Sequence, residues 1–428
     1  MTQLLFVNAS QVVTCAGPAR ARRGAEMQDA GILTGVAVAV DDELITAVGP
    51  ESELASQFSG AERIDCGGRV LSPGLVDSHT HAIFGRARYE EQELRAAGVG
   101  YMEIARRGGG IHSSVADLRK RSEDELYDLA LPRISRLASY GSTTIEVKSG
   151  YGLSLEDELK SLRVIARLAA ALPVRLVPTW LGAHEIPLEF RSTASSRRDY
   201  VKLLIEEILP VVARERLARF ADVFCEPGVF TLPETREILS ASRTHGLELK
   251  LHADELEPHG GAELAAEIGA TSADHLGAIS DAGISALARS TTVATLLPGT
   301  MLFLGMQTQA PARRLIDAGA AVSLATDFNP GTSPTVNFPL ILTLGVSQLR
   351  MSAAEAFIAA TVNGAAALGL ADRVGRLAPG CSADLALWDA SDVREIPYWY
   401  GDRRCSGTWA RGKPCHSLNA SDNLILAR

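Results

Sequence analysis

The stretch Pro73-Gly74-Leu75-Val76-Asp77-Ser78-His79-Thr80-His81 decides how the chain is read. It is an apolar run ending in two histidines one residue apart. On a strand, residues i and i+2 share a face. His79 and His81 would therefore set two imidazoles side by side at a strand end, as a cation site needs. Two such histidines on a surface loop would carry no such meaning. The apolar residues before them (Val70, Leu71, Leu75, Val76) and the polar residues at matching places downstream argue for the strand.

From Leu71 onward, short apolar strands alternate with amphipathic helices, the rhythm of βαβ units and a parallel sheet. Strand ends are predicted at His81, Lys148, Leu181, Phe224, Ala253, Leu276, Leu297 and Asp327. Helices are predicted over residues 123–140, 155–172, 200–220, 233–245 and 261–269. The fold class is α/β: eight such units predict a closed (β/α)8 TIM-like barrel, with functional groups at the C-terminal ends of its strands.

The flanks read differently. Residues 4–15, 36–40 and 44–49 are predicted strands, the last two joined into a hairpin through Asp41-Asp42, and 64–70 holds one more. Beyond helices in 352–370, residues 383–388 and 408–414 are again predicted strands. Neither flank holds enough core to stand alone. Residues 1–71 and 372–428 are therefore expected to form one small composite β-sandwich domain beside a barrel of residues 72–371.

The chain has 428 residues, 46% hydrophobic and 22% charged, enough for a sizeable core and against global disorder. A net charge of −9 without a basic run argues against nucleic acid or an anionic membrane as partner. The six cysteines are scattered, with no CxxC, and read as reduced thiols; Cys405 and Cys415 are near enough in sequence to pair but are read as free. With no signal-like opening and no bilayer-length apolar run, a cytoplasmic protein is expected. A homodimer is expected from base rate alone.

Several predicted strand ends carry a polar residue. The first has His79 and His81, the fourth Glu226, the fifth His252 with Glu255 just beyond, the sixth His275, and the last Asp327. Three imidazoles and a carboxylate suit Zn2+ or Fe2+ with one position open to water. Asp327 can serve both as ligand and as proton acceptor. Bland readings stand beside these: His252 as a hydrogen-bonded core histidine, Asp327 as a helix N-cap, and Glu226 as partner of a barrel cation. His275 is read as a supporting group rather than a ligand.

These residues lie in stretches that resemble the amidohydrolase superfamily over almost the whole chain. The stretches are Pro73 to His81, Gly108-Gly109-Gly110-Ile111, Glu146-Val147-Lys148-Ser149-Gly150-Tyr151-Gly152-Leu153, Leu181-Gly182-Ala183-His184, Leu251-His252-Ala253-Asp254-Glu255, Ser272-Ala273-Asp274-His275-Leu276 and Ala325-Thr326-Asp327-Phe328-Asn329-Pro330-Gly331. The first marks only the superfamily. The Lys148–Gly152 and Thr326–Gly331 runs are more particular, and resemble the branch that opens an imidazolone ring in histidine degradation.

The resemblance implies a single zinc or iron held by His79, His81, His252 and Asp327, and hydrolysis of 4-imidazolone-5-propanoate to N-formimidoyl-L-glutamate. The fourth strand ends in Glu226, not in the lysine of two-metal relatives, so one metal is expected. The resemblance also implies substrate contacts from Arg88, Tyr151, His184 and Glu255, with donors from Asn329, Gly331 and Thr332. In the implied chemistry, Asp327 takes the water's proton and Glu255 passes one to the leaving nitrogen. His184 or His275 helps at the carbonyl oxygen. The plain alternatives are a loop cation facing Glu90, Glu91 or Glu93 for Arg88, a core aromatic for Tyr151, a carbonyl cap for His184, and turn chemistry for Asn329 to Thr332. Arg86, Tyr89, Trp180 and Glu185 depart from the family pattern and are expected near the pocket mouth.

Two rivals remain at this stage. A deaminase of a formimino-amino acid or a nucleobase would show the same metal set, with only Arg88, Tyr151 and His184 against it. A non-catalytic relative would be expected to have lost ligands, and all four are present.

Overall fold

Eight parallel strands run in chain order around one sheet: Leu75–Asp77, Ser142–Lys148, Arg175–Ala183, Phe220–Cys225, Glu248–Ala253, Ser272–His275, Val293–Leu296 and Val322–Leu324. The computed structural model in which they are seen describes residues 3–99, 103 and 109–417; Gly108 of the glycine run lies outside them. The ring closes through a parallel bridge between Thr80 and Phe328. Around it the Asp327 N–H donates to the His79 carbonyl at 3.0 Å, and the His81 N–H to the Phe328 carbonyl at 2.8 Å. The barrel is thus sealed by the segments that carry the first two histidines and the aspartate.

Those segments are not strand. The first strand ends at Asp77, short of His81, and the last at Leu324, short of Asp327. Asp77 stops the ladder by accepting the Thr326 N–H and hydroxyl at 3.0 and 2.7 Å. Asp327 has φ +51°, outside the extended region.

The helices that cover the barrel follow the predicted pattern where their caps are strong. Ser122 and Glu125 box the start of Glu123–Ser139, Ser154 caps Leu155–Ala171, and Thr231 and Glu234 box Leu232–Thr244. Gly261–Glu267 follows. The single helix expected over 200–220 is instead three pieces: Ala194–Lys202, a π-helical turn at Leu203–Ile208, and Leu209–Arg214. Pro210 has no N–H to give to the turn before it, and the ladder widens there.

Residues 4–15 are two strands in two sheets, Gln3–Val7 and Gln11–Val13, with Asn8 at φ +57° redirecting the chain between them. The strand expected over 408–414 is a hairpin of Cys405–Ala410 and Lys413–Ser417, turning at Arg411 and Gly412, both at positive φ. A six-stranded sheet takes Lys413–Ser417, Cys405–Ala410, Leu385–Trp388, Val70–Pro73, Gln11–Val13 and Ile32–Leu33, in that order. A four-stranded sheet takes Leu44–Pro50, Val36–Asp41, Gln3–Val7 and Glu62–Asp65. Phe6, Val40, Leu71, Leu385 and Trp409 share one apolar cluster, with the Phe6 and Trp409 rings edge to face at 5.0 Å. Among the described residues no helix is long and apolar enough to cross a membrane, and the six cysteines are free and buried.

Candidate active site

His79, His81, His252, His275 and Asp327 are all buried and meet at the C-terminal mouth of the barrel. Ligand atoms of His79, His81 and His252 lie within 4.8 Å of one another, and so do those of His79, His275 and Asp327. The Nε2 atoms of His79 and His81 are 3.2 Å apart, close to the roughly 3.3 Å edge of a tetrahedral zinc site with nitrogen ligands. Asp327 Oδ1 is 3.6 Å from His79 Nε2 and 3.5 Å from His81 Nε2. His275 stands at the same place, in a second group with His79 and Asp327.

The tautomers agree with a cation. The Nδ1 of His79 is 2.6 Å from Asp274 Oδ2, and that of His252 is 3.1 Å from Asp222 Oδ1. A carboxylate accepts, so each Nδ1 carries the proton and each Nε2 keeps its lone pair. The buried Nε2 of His252 has no hydrogen-bond partner among the described residues. Burial, then the Lys148 ammonium, holds the His79 pKa well below its ordinary value, so the ring is neutral. Burial pushes the Asp327 carboxyl up to about 6 while its Oδ2 accepts the Thr300 hydroxyl at 2.5 Å. The donor set can hold one divalent cation.

Beneath the histidines is an ionic layer that sequence reading missed. Lys148 donates to Asp222 and Glu146, each at 2.8 Å. Lys250 donates to the Ser78 carbonyl at 2.7 Å and lies 3.1 Å from Glu146. Burial opposes charge on Lys148, but Asp222, Glu146 and Asp274 outweigh it and hold its pKa above the ordinary value. The signal was present: Asp222 in Phe-Ala-Asp-Val-Phe and Lys250 in Leu-Lys-Leu are charges inside apolar strands, and buried charges need partners.

A cavity of about 570 Å3 opens over this floor, and Arg88, Tyr151, His184, Glu255, Asn329 and Thr332 are in its wall. Arg88 is buried, with Nε and Nη1 lacking any hydrogen-bond partner among the described residues. Its Nε forms an ion pair with Glu91 Oε1 at 3.6 Å, too long for a hydrogen bond, so the alternative of a cation facing Glu91 holds in part. The Tyr151 ring lies 5.3 Å from that of His184, which stacks on His81 at 5.1 Å. His184 Nδ1 donates to the Gly150 carbonyl at 2.9 Å, so its Nε2 is an acceptor. A neutral His184 therefore cannot donate to a carbonyl oxygen, contrary to the expected role. Gly150, at φ +104°, allows this approach: a Cβ there would lie 2.9 Å from His184 Nδ1.

Asn329, Gly331 and Thr332 do not offer the donors expected of them. Asn329 Nδ2 donates to the Asp327 carbonyl and to the Thr332 hydroxyl, and its Oδ1 accepts the N–H groups of Gly331 and Thr332. They form a closed turn that sets Asp327. Gly331 is not in the cavity wall but beneath Arg88, where a Cβ would fall 1.4 Å from Nη2. Among the described residues Glu226 pairs with no barrel cation; its carboxylate accepts the N–H groups of Glu255, Leu256 and Glu257. Glu255 Oε2 is 3.6 Å from His275 Nε2. Burial, then the Asp327 and Glu226 carboxylates, raises the Glu255 pKa well above the ordinary value.

None of Arg86, Tyr89, Trp180 and Glu185 is in the cavity wall. Arg86 pairs with Glu90 at the surface, Tyr89 is exposed, Trp180 is in the core, and Glu185 pairs with Arg191.

The model of the amidohydrolase family matches residues 102–416. An imidazolonepropionase of Geobacillus thermodenitrificans is 47% identical over 406 residues, 94% of this chain and 95% of that one. One of Bacillus cytotoxicus is 43% identical over 412 residues, 96% of each chain. Among solved structures, Escherichia coli guanine deaminase superposes with a TM-score of 0.74 at 15% identity, over 98% of this chain and 100% of that one. A zinc-bound adenosine deaminase of Xanthomonas campestris gives 0.70 at 19%, over 96% and 92%. These two show the barrel fold alone.

Proposed function

The chain belongs to the amidohydrolase family and, within it, to the imidazolonepropionases; it is a hydrolase, and we propose that it opens the ring of 4-imidazolone-5-propanoate to N-formimidoyl-L-glutamate in L-histidine degradation. The observation that carries the substrate is Arg88. A buried guanidinium whose Nε and Nη1 make no hydrogen bond among the described residues, with only the longer ion pair to Glu91, in the wall of a cavity floored by the histidine cluster, suits a bidentate carboxylate. A nucleobase has no such group to offer it.

We assign His79, His81, His252 and Asp327 to one cation, zinc or iron. Such an ion supplies Lewis acidity toward the ring carbonyl and makes water more acidic. Arg88 holds the propanoate, while Tyr151 and His184 flank the ring, His184 Nε2 accepting from a ring N–H. Asp327 Oδ1, its partner oxygen tied to Thr300, takes one proton of the attacking water. The water oxygen joins the carbonyl carbon, which becomes the new carboxylate as the ring C–N bond breaks. Glu255, its carboxyl pushed up by burial beside two carboxylates, gives its proton to the leaving nitrogen. His275, beside Glu255, attends the carbonyl oxygen.

The test is turnover of 4-imidazolone-5-propanoate by the metal-loaded enzyme, with product identified by mass. N-formimidoyl-L-glutamate without ammonia is expected. Ammonia from a formimino-amino acid or a nucleobase, with the imidazolone untouched, would replace this reading by the deaminase one. Metal analysis should give one ion per chain, and two tightly bound ions would refute the single site. We place the enzyme in the cytoplasm as a homodimer; the free thiols support the first, and sedimentation tests the second.

A further inference from the structure

Glu255 sits on an irregular loop. Asp254, at φ +49°, turns the chain out of the fifth barrel strand, and Leu256 beyond it is exposed. A side chain on such a loop has no strand ladder to fix it, yet a proton donor must be held to a fraction of an ångström. Two buried carboxylates supply what the ladder does not. Glu226 Oε2 accepts the Glu255 N–H at 3.1 Å, and Oε1 accepts those of Leu256 at 3.0 Å and Glu257 at 2.8 Å. Asp254 takes the far end of the loop, its Oδ1 accepting His259, Gly260 and Gly261 N–H at 2.8, 3.0 and 3.1 Å, and Oδ2 that of Ala262 at 2.9 Å. Asp254 also caps the helix Gly261–Glu267 and so has a structural duty. Glu226 caps no helix: it lies just past the end of the fourth barrel strand, it is buried, and its side-chain acceptor bonds end on three consecutive residues beginning with Glu255.

We propose that Glu226 is a positioning residue for the hydrolysis, fixing the backbone of residues 255–257 so that the Glu255 carboxyl faces His275 and the substrate. A buried carboxylate costs desolvation that only its hydrogen bonds offset. This one has three, all directed to the loop that carries the proton donor. Glu226 is not in the cavity wall and acts through the loop it holds, whose residues Glu255, Leu256 and Glu257 are in that wall. The inference rests on the role given to Glu255 above.

The test is a double-mutant cycle in the full-length, metal-loaded enzyme. Glu226→Ala, Glu255→Gln and the pair are compared for kcat, KM, metal per chain and thermal midpoint. Glu226→Ala should lower kcat about 100-fold, the loss expected for a displacement near 1 Å. KM and metal content should stay within about twofold, and the pair should be no more than about threefold slower than Glu255→Gln alone, because both changes remove one function. Should Glu226→Ala fail to fold, Glu226→Gln keeps the shape and one acceptor oxygen and runs the same cycle, with a loss of about 10-fold. Parental kcat in the Glu226 variant beside an inactive Glu255→Gln overturns this inference and leaves the reaction assignment standing. Losses that multiply overturn it too, since they would mean a role independent of Glu255. Parental turnover in Glu255→Gln overturns the role of Glu255 and this inference together.

Discussion

The side chain proposed to set substrate class is Arg88, and the room it occupies depends on an absent one. A Cβ on Gly331 would overlap the guanidinium. Arg88→Ala should raise KM between about 10- and 100-fold, the worth of a charge-assisted bidentate pair, with metal content unchanged. Gly331→Ala should do the same from outside the cavity by moving the guanidinium; steady-state kinetics with metal analysis checks both. In the proposed roles, Asp327→Ala removes a ligand and the proton acceptor together. It should cost at least about 1000-fold in kcat while circular dichroism stays that of the parent. That His79, His81, His252 and Asp327 would converge was legible because each lies at the end of an apolar run, and the resemblance named them. Arg88 came from the resemblance, but the reason it has room did not. Nothing in Asn-Pro-Gly tells a reader that the glycine leaves room for an arginine more than 200 residues earlier. The donors expected from Asn329 to Thr332 were misread for a related reason: whether an N–H is free depends on the turn that consumes it.

At the scale of strands, what stayed hidden is register. His252 lies opposite Phe224 on one side and Asp274 on the other, and no periodicity shows which carboxylate reaches which ring. Asp222 orients His252 and Asp274 orients His79, so Asp222→Asn should weaken metal affinity about 10- to 100-fold. Chelator competition reads that directly, without turnover. The helices were legible where capping was strong, and one cap carries a pH dependence. Burial alone would raise the pKa of Glu234, but Arg197 and the Thr231 N–H and hydroxyl hold it down, to about 2 from the ordinary 4.5. A depressed folded-state value stabilises above the unfolded pKa and is lost as pH falls. The Leu232–Thr244 helix should therefore lose this support between about pH 4.5 and 2. Glu234→Gln should be less stable than the parent at pH 7 and should converge with it at the acid end of a melting series.

Across the whole molecule, the two ends of the chain meet in one sheet, and that sheet feeds the active site. Val70–Pro73 lies between Leu385–Trp388 and Gln11–Val13, and only Gly74 separates it from the first barrel strand. Trp388 donates its indole N–H to Ser72 at 2.8 Å, so a residue near the C-terminus fixes the chain just before His79 and His81. Residues 1–71 and 372–428 should then behave as one unit, and a chain ending at residue 371 should not fold, since its six-stranded sheet would lose three adjacent strands, half of it. A folded, active truncation would refute the composite unit. A milder probe is Trp409→Ala, which removes the ring packed on Phe6 and should cost about 3–5 kcal/mol. Because Trp409 sits in the shared cluster and not in the cavity, kcat below the lowered melting temperature should match the parent. A fall in kcat without a fall in stability would mean that the sheets transmit more to His79 and His81 than their attachment through Gly74.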